Sequence, residues 1–272
     1  MPWGPRRPPR LWAVDQPFFL NFPMRFVLSS LRLSAVAAGS ALLLGCSAKS
    51  ADPKATAVAD RVLTAMGGAN AWNTTRYLAW DFFGGQYQIW DKQTGDFHWE
   101  KDTLVVNYNL NTKQGHVYSR GQDISASPAG QKVLETLTPT WINNSYWLVM
   151  PFKLKDPGVN LTYKGEGKTM DGALADVLGM TFDKVGVTPE NRYEVLVNRT
   201  TGLVDEWAYF PKATDAQPAF RRRWNEYARH GQLLLAAGRS EADKPTRFDH
   251  IATAQTVPDG LMASKVPVTK IP

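Results

Sequence analysis

The chain has 272 residues, with 31 Lys and Arg, 25 Asp and Glu, and one cysteine. A single cysteine excludes an intrachain disulfide framework, so stability must come from a hydrophobic core and hydrogen-bonded sheet, a demand that the 11% aromatic content fits. The formal charge of +6 sits mostly at the N-terminus: five basic residues and one acidic residue precede Cys46, leaving 26 against 24, a net +2. Nucleic acid is therefore set aside as a partner, because the only dense cluster left is Arg221-Arg222-Arg223, which fits a solvated strand face or anionic headgroups.

Residues 1–23 carry Pro2, Pro5, Pro8 and Pro9 among Arg6, Arg7 and Arg10, and make neither a signal core nor a folding segment. Two readings stay open: translation begins at Met24, or the segment is a long cationic arm. Residues 24–45 hold the parts of a secretory signal in order. Arg25 and Arg32 supply the charge, Leu33 to Leu44 the apolar stretch, and Gly45 the small residue. Ser34, Gly39 and Ser40 interrupt that stretch, and it falls short of the roughly 20 apolar residues of a membrane-spanning helix. Leu43-Leu44-Gly45-Cys46 reads as a lipobox, departing from the usual bacterial pattern at Leu44, where Ala or Ser is commoner.

Cys46 is thus the expected lipidation site, carrying acyl chains such as palmitate, and the first residue of the mature chain. A soluble signal with an incidental cysteine is the alternative. A lipid anchor places the domain outside the cytoplasm, with the membrane as a partner. By resemblance to Gram-negative lipoproteins, Ser47 rather than Asp after the cysteine favours the periplasmic face of the outer membrane. Residues 46–54 form the lipidated cysteine and a small, polar tether.

Residues 55–272 fit one β-rich domain. Ala55 to Met66 places Val58, Val62, Leu63 and Met66 at helical spacing, with Gly67-Gly68 as a stop. After Trp72 the period becomes two. Leu78, Trp80 and Phe82 share a face, Gly84-Gly85 turns, and Tyr87 with Ile89 resumes the alternation. The meander runs on through Phe97 and Trp99, then Leu104 to Leu110, then Val117 to Ser119. Ser127 before Pro128 caps a short helix expected to end near Leu137. Beyond Pro139 lies Trp141 to Phe152, dense in large apolar groups and bounded by prolines. Sheet resumes through Leu161 to Tyr163, Leu178 to Phe182, Tyr193 to Val197, Leu203 to Phe210, Arg221 to Tyr227, Leu233 to Ala237 and Phe248 to Thr256.

The expected fold class is mainly β (α+β): a curved antiparallel half-barrel of about ten to twelve strands, with an N-terminal helix and short helices covering the concave face. The run Trp141-Ile142-Asn143-Asn144-Ser145-Tyr146-Trp147-Leu148, then Met150-Pro151-Phe152 through Asp156-Pro157-Gly158-Val159, and Phe182-Asp183-Lys184 through Pro189, resembles a family of functionally uncharacterised bacterial exported proteins. The order of helix, meander, helices and further strands also resembles the LolA/LolB and LppX-like lipoprotein and lipid carriers. That resemblance implies an incomplete barrel around an apolar cavity for acyl chains, and it transfers no ligand residue by motif.

Two mechanisms are open. In the carrier reading, Trp80, Phe82, Trp99, Trp141, Tyr146, Trp147 and Phe152 line the cavity for a lipid or an acylated protein, with Trp141 to Phe152 as plug or lid. In the interaction reading these aromatics simply fill the core, and the protein works through its outer surface. A hydrolase is the third class. His98, His116, His230 and His250 show no HExxH spacing, no GxSxG surrounds a serine, and no Gly-rich phosphate loop precedes a helix. Asp81, Asp91, Asp156, Asp205 and Glu206 fall in turns or alternate with apolar strand residues. No catalytic residue, metal or cofactor is expected.

Overall fold

The computed structural model describes residues 51–183, 188–241 and 244–272. The expected signal and Cys46 lie outside the described residues. The first helix, α1, spans Pro53–Ala65. Asp52 starts it by accepting the N–H groups of Lys54 (3.0 Å) and Ala55 (3.1 Å), and Pro53 supplies the preset first turn. Its buried stripe of Ala55, Val58, Ala59 and Val62 packs toward the second of the two sheets described below. Gly67 ends the helix at φ +116°, and a Cβ there would stand 2.5 Å from the Gln232 carbonyl oxygen. Backbone angle and close approach both demand glycine. A second helix unforeseen in the sequence, α2 (Gly68–Thr74), begins at once.

Seven strands form the first sheet, in the order β14-β1-β2-β3-β4-β5-β6. They are β1 (Tyr77–Phe82), β2 (Gln86–Asp91), β3 (Asp96–Lys101), β4 (Leu104–Asn109), β5 (Gln114–Ser119), β6 (Gln122–Asp123) and β14 (Asp249–Ala254). β14 closes the edge by pairing with β1, Tyr77 opposite Ala254. On the inner face Leu78, Trp80 and Phe82 align with Trp90, Gln88 and Gln86, then Phe97 and Trp99, then Tyr108 and Val106. Tyr87 and Ile89 alternate as expected, but they face outward. There, with Tyr77, Ala79 and Ala252, they are covered by Val257, Leu261, Met262, Val268 and Ile271 of the C-terminal segment. Hydrogen bonds pin that segment: Asn107 Nδ2 to the Ser264 carbonyl (2.9 Å), Val268 N–H to Glu100 (2.7 Å) and Ile271 N–H to the Tyr87 hydroxyl (3.0 Å). Both faces of the sheet are therefore covered.

The helix expected to stop at Leu137 does not stop. α3 runs Pro128–Val149, 22 residues, straight through Pro139, and a 3-10 turn at Met150–Lys153 follows. Pro139 removes the hydrogen bond to the Glu135 carbonyl, a defect worth about 3 kcal/mol. Burial outweighs it. Leu137, Ile142, Tyr146, Trp147 and Leu148 are all buried, and each large apolar side chain contributes about 1.5–3 kcal/mol. The N-terminal half of α3 lies on β3, β4 and β5 through Val133, Leu134, Leu137 and Trp141. Its C-terminal half meets a second sheet. The expected short helices and the plug-like Trp141–Phe152 segment are thus one long helix and its terminal turn.

The second sheet has the order β11-β10-β9-β8-β7, from β7 (Val159–Lys168), β8 (Leu174–Phe182), β9 (Arg192–Asn198), β10 (Val204–Phe210) and β11 (Phe220–Arg223). α1 packs on β7 and β8, tied by Arg61 to Asp176. The expected strand Arg221 to Tyr227 divides at the fully buried Trp224, beyond which β12 (Asn225–His230) pairs with β13 (Leu233–Gly238) in a separate hairpin. That division and the short β6 bring the described residues to fourteen strands. No helix among the described residues is long and apolar enough to cross a membrane.

Candidate functional site

The interface between α3 and the inner face of the first sheet joins apolar side chains to a small set of polar groups. Gln88 on β2 stands between Trp80 on β1 and Trp99 on β3, each directly opposite it in register. From above, Asn144 of α3 donates through Nδ2 to the side-chain oxygens of Gln86 and Gln88, both at 3.2 Å, and Trp99 Nε1 donates to Gln86 at 3.0 Å. These amides compete for too few acceptors. Trp80 Nε1, Gln88 Nε2 and Trp141 Nε1 are buried and meet no acceptor among the described residues. An unmade hydrogen bond of this kind costs about 1–3 kcal/mol each.

The seven residues selected from sequence divide among four places. Trp80 and Trp99 lie on the floor beside Gln88, and Trp141 sits above, its ring edge-on to Trp90 at 5.0 Å. Tyr146 and Trp147 face the second sheet instead: the Tyr146 hydroxyl reaches Met180 Sδ at 3.6 Å, and Trp147 lies edge-on to Trp207 at 4.8 Å. Burial pushes the Tyr146 phenol well above its ordinary range. Phe152, in the turn after α3, stacks on Trp72 at 4.5 Å. Phe82 lies at the opposite end of β1, with Phe83 and Phe248, beside an open cleft of about 520 Å³ whose rim is charged.

Sequence reasoning missed Gln86, Gln88 and Asn144. The two glutamines alternate with Tyr87 and Ile89, so they read as the solvent side, whereas the C-terminal segment covers that other side. Arg239 was missed as well. It is fully buried, its Nε and Nη2 both donate to the Trp147 carbonyl (2.9 and 2.7 Å), and its guanidinium lies 3.5 Å over the Trp224 ring. Burial holds its pKa down to about 9. It thereby fastens β13 to the last turn of α3, where helix carbonyls lack internal partners.

Trp72 and Trp90, both half-buried, and the buried Phe152 cluster at the Lys92 end of β2. Trp72 and Trp90 lie 6.4 Å apart, and Lys92 carries its ammonium 3.6 Å over the Trp72 ring. The basic triplet on β11 is neutralised by partners. Arg221 pairs with Glu206, Arg222 with Glu241 and Arg223 with Asp171, so the basic triplet is a compensated strand face. The acids considered for catalysis are engaged too: Asp81 with Lys270, Asp91 with Arg76, Asp156 with Lys153, Asp205 with Asn198. Burial raises the pKa of Asp205 and of Glu206, the latter against its bonds from Met170 N–H and Arg221.

Together these elements define a mainly β, α+β protein: a curved antiparallel half-barrel, unclosed, around one long helix. No protein-family model and no curated protein matches the chain. Among solved structures, a DUF1329 family protein from Desulfovibrio piger is 12% identical, covering 78% of this chain and 97% of its own, with a TM-score of 0.41. An uncharacterized conserved protein from Thermus thermophilus is 12% identical over 63% of this chain and 88% of its own, TM-score 0.24. A domain from Vibrio parahaemolyticus assigned to outer membrane lipoprotein sorting is 9% identical over 75% of this chain and 97% of its own, TM-score 0.31. These are likenesses of chain outline and transfer no residue.

Proposed function

We propose that this is a cell-envelope lipoprotein, tethered through Cys46, that holds a lipid or acylated ligand between α3 and the inner face of the first sheet without transforming it. The observation that carries this reading is a group of buried donors without acceptors among the described residues, Trp80 Nε1, Gln88 Nε2 and Trp141 Nε1, set among apolar side chains; Trp207 Nε1 and Trp224 Nε1, elsewhere in the core, share that condition. A ligand that brings ester or amide oxygens to these donors and methylenes to the aromatic walls satisfies both. Each buried methylene contributes about 0.8 kcal/mol, so chain length supplies affinity and the donors supply position. The tether at 46–54 and the leader favour the periplasmic face of the outer membrane as the place of work.

One observation favours the second reading, an envelope interaction protein with a filled core. Tyr193 stacks on Trp207 at 5.0 Å and 7°, with Trp147 edge-on to the same indole, so the half of the interior against the second sheet is solidly packed. The experiment is mass spectrometry of lipid extracted from the purified Cys46→Ser protein, which lacks its own acyl chains. Stoichiometric lipid is the expected result, and lipid-free protein would leave the filled-core reading standing. Cys46→Ser should also release the protein from membranes; unchanged retention, with no acyl mass on Cys46 of the native protein, would remove the anchor from the account.

A further inference from the structure

Along the inner row of β2 the residues change in a fixed order: Gln86, Gln88, Trp90 and, one step past the strand in the same phase, Lys92. Gln88 is fully buried under α3, whereas Gln86, Trp90 and Lys92 are half-buried. Lys92 is the half-buried cation of this row. Its hydrogen bond goes to the Trp72 carbonyl oxygen, its charge lies over the Trp72 ring, and no carboxylate of the described residues lies within ion-pair distance of it. The other charged groups around it are Lys153, which is itself paired with Asp156, and the Arg76–Asp91 pair at the neighbouring turn.

We propose that the ligand held under α3 is an anionic phospholipid whose headgroup is received by Lys92 beside the rings of Trp72, Trp90 and Phe152. This rests on the lipid-binding reading and adds the identity of the polar end. Three observations support it. A half-buried ammonium without a carboxylate is incomplete in the way that an incoming phosphate completes, and charge-assisted hydrogen bonds are the strong ones. Burial, and after it the nearby Lys153, hold the Lys92 pKa down to about 8, so both influences on it are of the kind that an anion relieves. The rings beside Lys92, Phe152 stacked on Trp72 at 4.5 Å and Trp90 beyond it, are amphipathic or apolar groups suited to the junction between a lipid head and its chains. A zwitterionic head brings its own cation to this lysine and gains less.

The test is quenching of tryptophan fluorescence in the full-length Cys46→Ser protein by short-chain brominated phosphatidylglycerol and phosphatidylcholine, with Trp72, Trp90 and Trp141 as reporters. The expected result is about tenfold tighter binding of phosphatidylglycerol at low salt, a preference that shrinks as salt rises. Lys92→Met should bring the two affinities within about twofold without weakening phosphatidylcholine, and Lys92→Arg should keep the preference. Equal affinities in the parent protein, or a preference that survives Lys92→Met, would overturn the headgroup assignment and leave the lipid reading intact. Failure to bind either lipid would overturn both. The comparison of lipids in the parent protein decides the matter even if Lys92→Met does not fold.

Discussion

Replacing Gln88 by Met tests the feature on which the functional reading stands. Gln88 is 0% exposed, its Oε1 accepts one long bond (3.2 Å) from Asn144, and its Nε2 meets no acceptor among the described residues. Methionine keeps the unbranched shape and removes the orphaned donor, a relief of about 1–3 kcal/mol. The lost bond costs about 0.5–1.5 kcal/mol, at the low end because Asn144 Nδ2 retains Gln86 as an acceptor. Exchanging an amide for a thioether adds about 1 kcal/mol of apolar burial. The net expectation is a lipid-free protein stabilised by about 1.5–3.5 kcal/mol, seen as a higher urea midpoint at unchanged slope, or a Tm raised by about 3–14 °C for a domain of this size. The same variant should retain less lipid on purification. A destabilisation of about 1 kcal/mol or more would show that Nε2 is fully satisfied in the folded protein, and the case from unmade hydrogen bonds would fail with it.

Three further outcomes rest on the same geometry. Gly67→Ala should cost about 2–4 kcal/mol, combining positive-φ strain with the 2.5 Å approach to Gln232, whereas Gly68→Ala, at φ +88° with nothing within 4 Å, should cost only about 1 kcal/mol; equal costs by urea unfolding would contradict the close approach. Burial pushes the Asp91 pKa up, but Arg76 and the N–H groups of Gln93 and Thr94 more than reverse this, so its folded pKa lies below the unfolded value of 3.8. Its stabilisation is therefore complete above that value and is lost as pH falls through the folded pKa, and Asp91→Asn should flatten the acid limb of a stability-against-pH curve. Lys92 runs the other way: its folded pKa of about 8 lies below the unfolded 10.5, so the lipid-free protein should gain stability as pH rises from about 8 to 10.5. Denaturant titrations at both ends of that window should show a smaller gain in Lys92→Met than in the parent protein, the remainder coming from Arg239, whose folded pKa of about 9 is also depressed.

Much of the framework was legible because it depends on local chemistry. A side-chain period of two identified Leu78, Trp80 and Phe82 as one face of β1, and helical spacing located α1, because each pattern is written within a single element. What escaped depends on distant segments. Pro139 is a local signal for a helix end, and only the two sheets, packing against the N-terminal and C-terminal halves of α3, make continuation the lower-energy course. Gln86 and Gln88 occupy the positions a solvated face would have, until the C-terminal segment covers Tyr87 and Ile89 and leaves the amides pointing inward. The buried Arg239 owes its place to the approach of β13 to the end of α3, two elements far apart in the chain.

By itself the sequence raised the expectation of a leader and of an anchor at Cys46, and it determined the near-neutral charge of the chain beyond that cysteine and a mainly β domain rich in aromatics. These are matters of composition and short spacing, on which tertiary contacts have no influence. Tertiary structure alone decided that the last strand pairs with the first, that one helix serves both sheets, and which polar atoms lack partners. Hydrogen-bond satisfaction is a property of three-dimensional neighbourhoods. So is the position of Lys92 beside an aromatic cluster, because the residue owes its setting to Trp72 and Phe152 on separate elements.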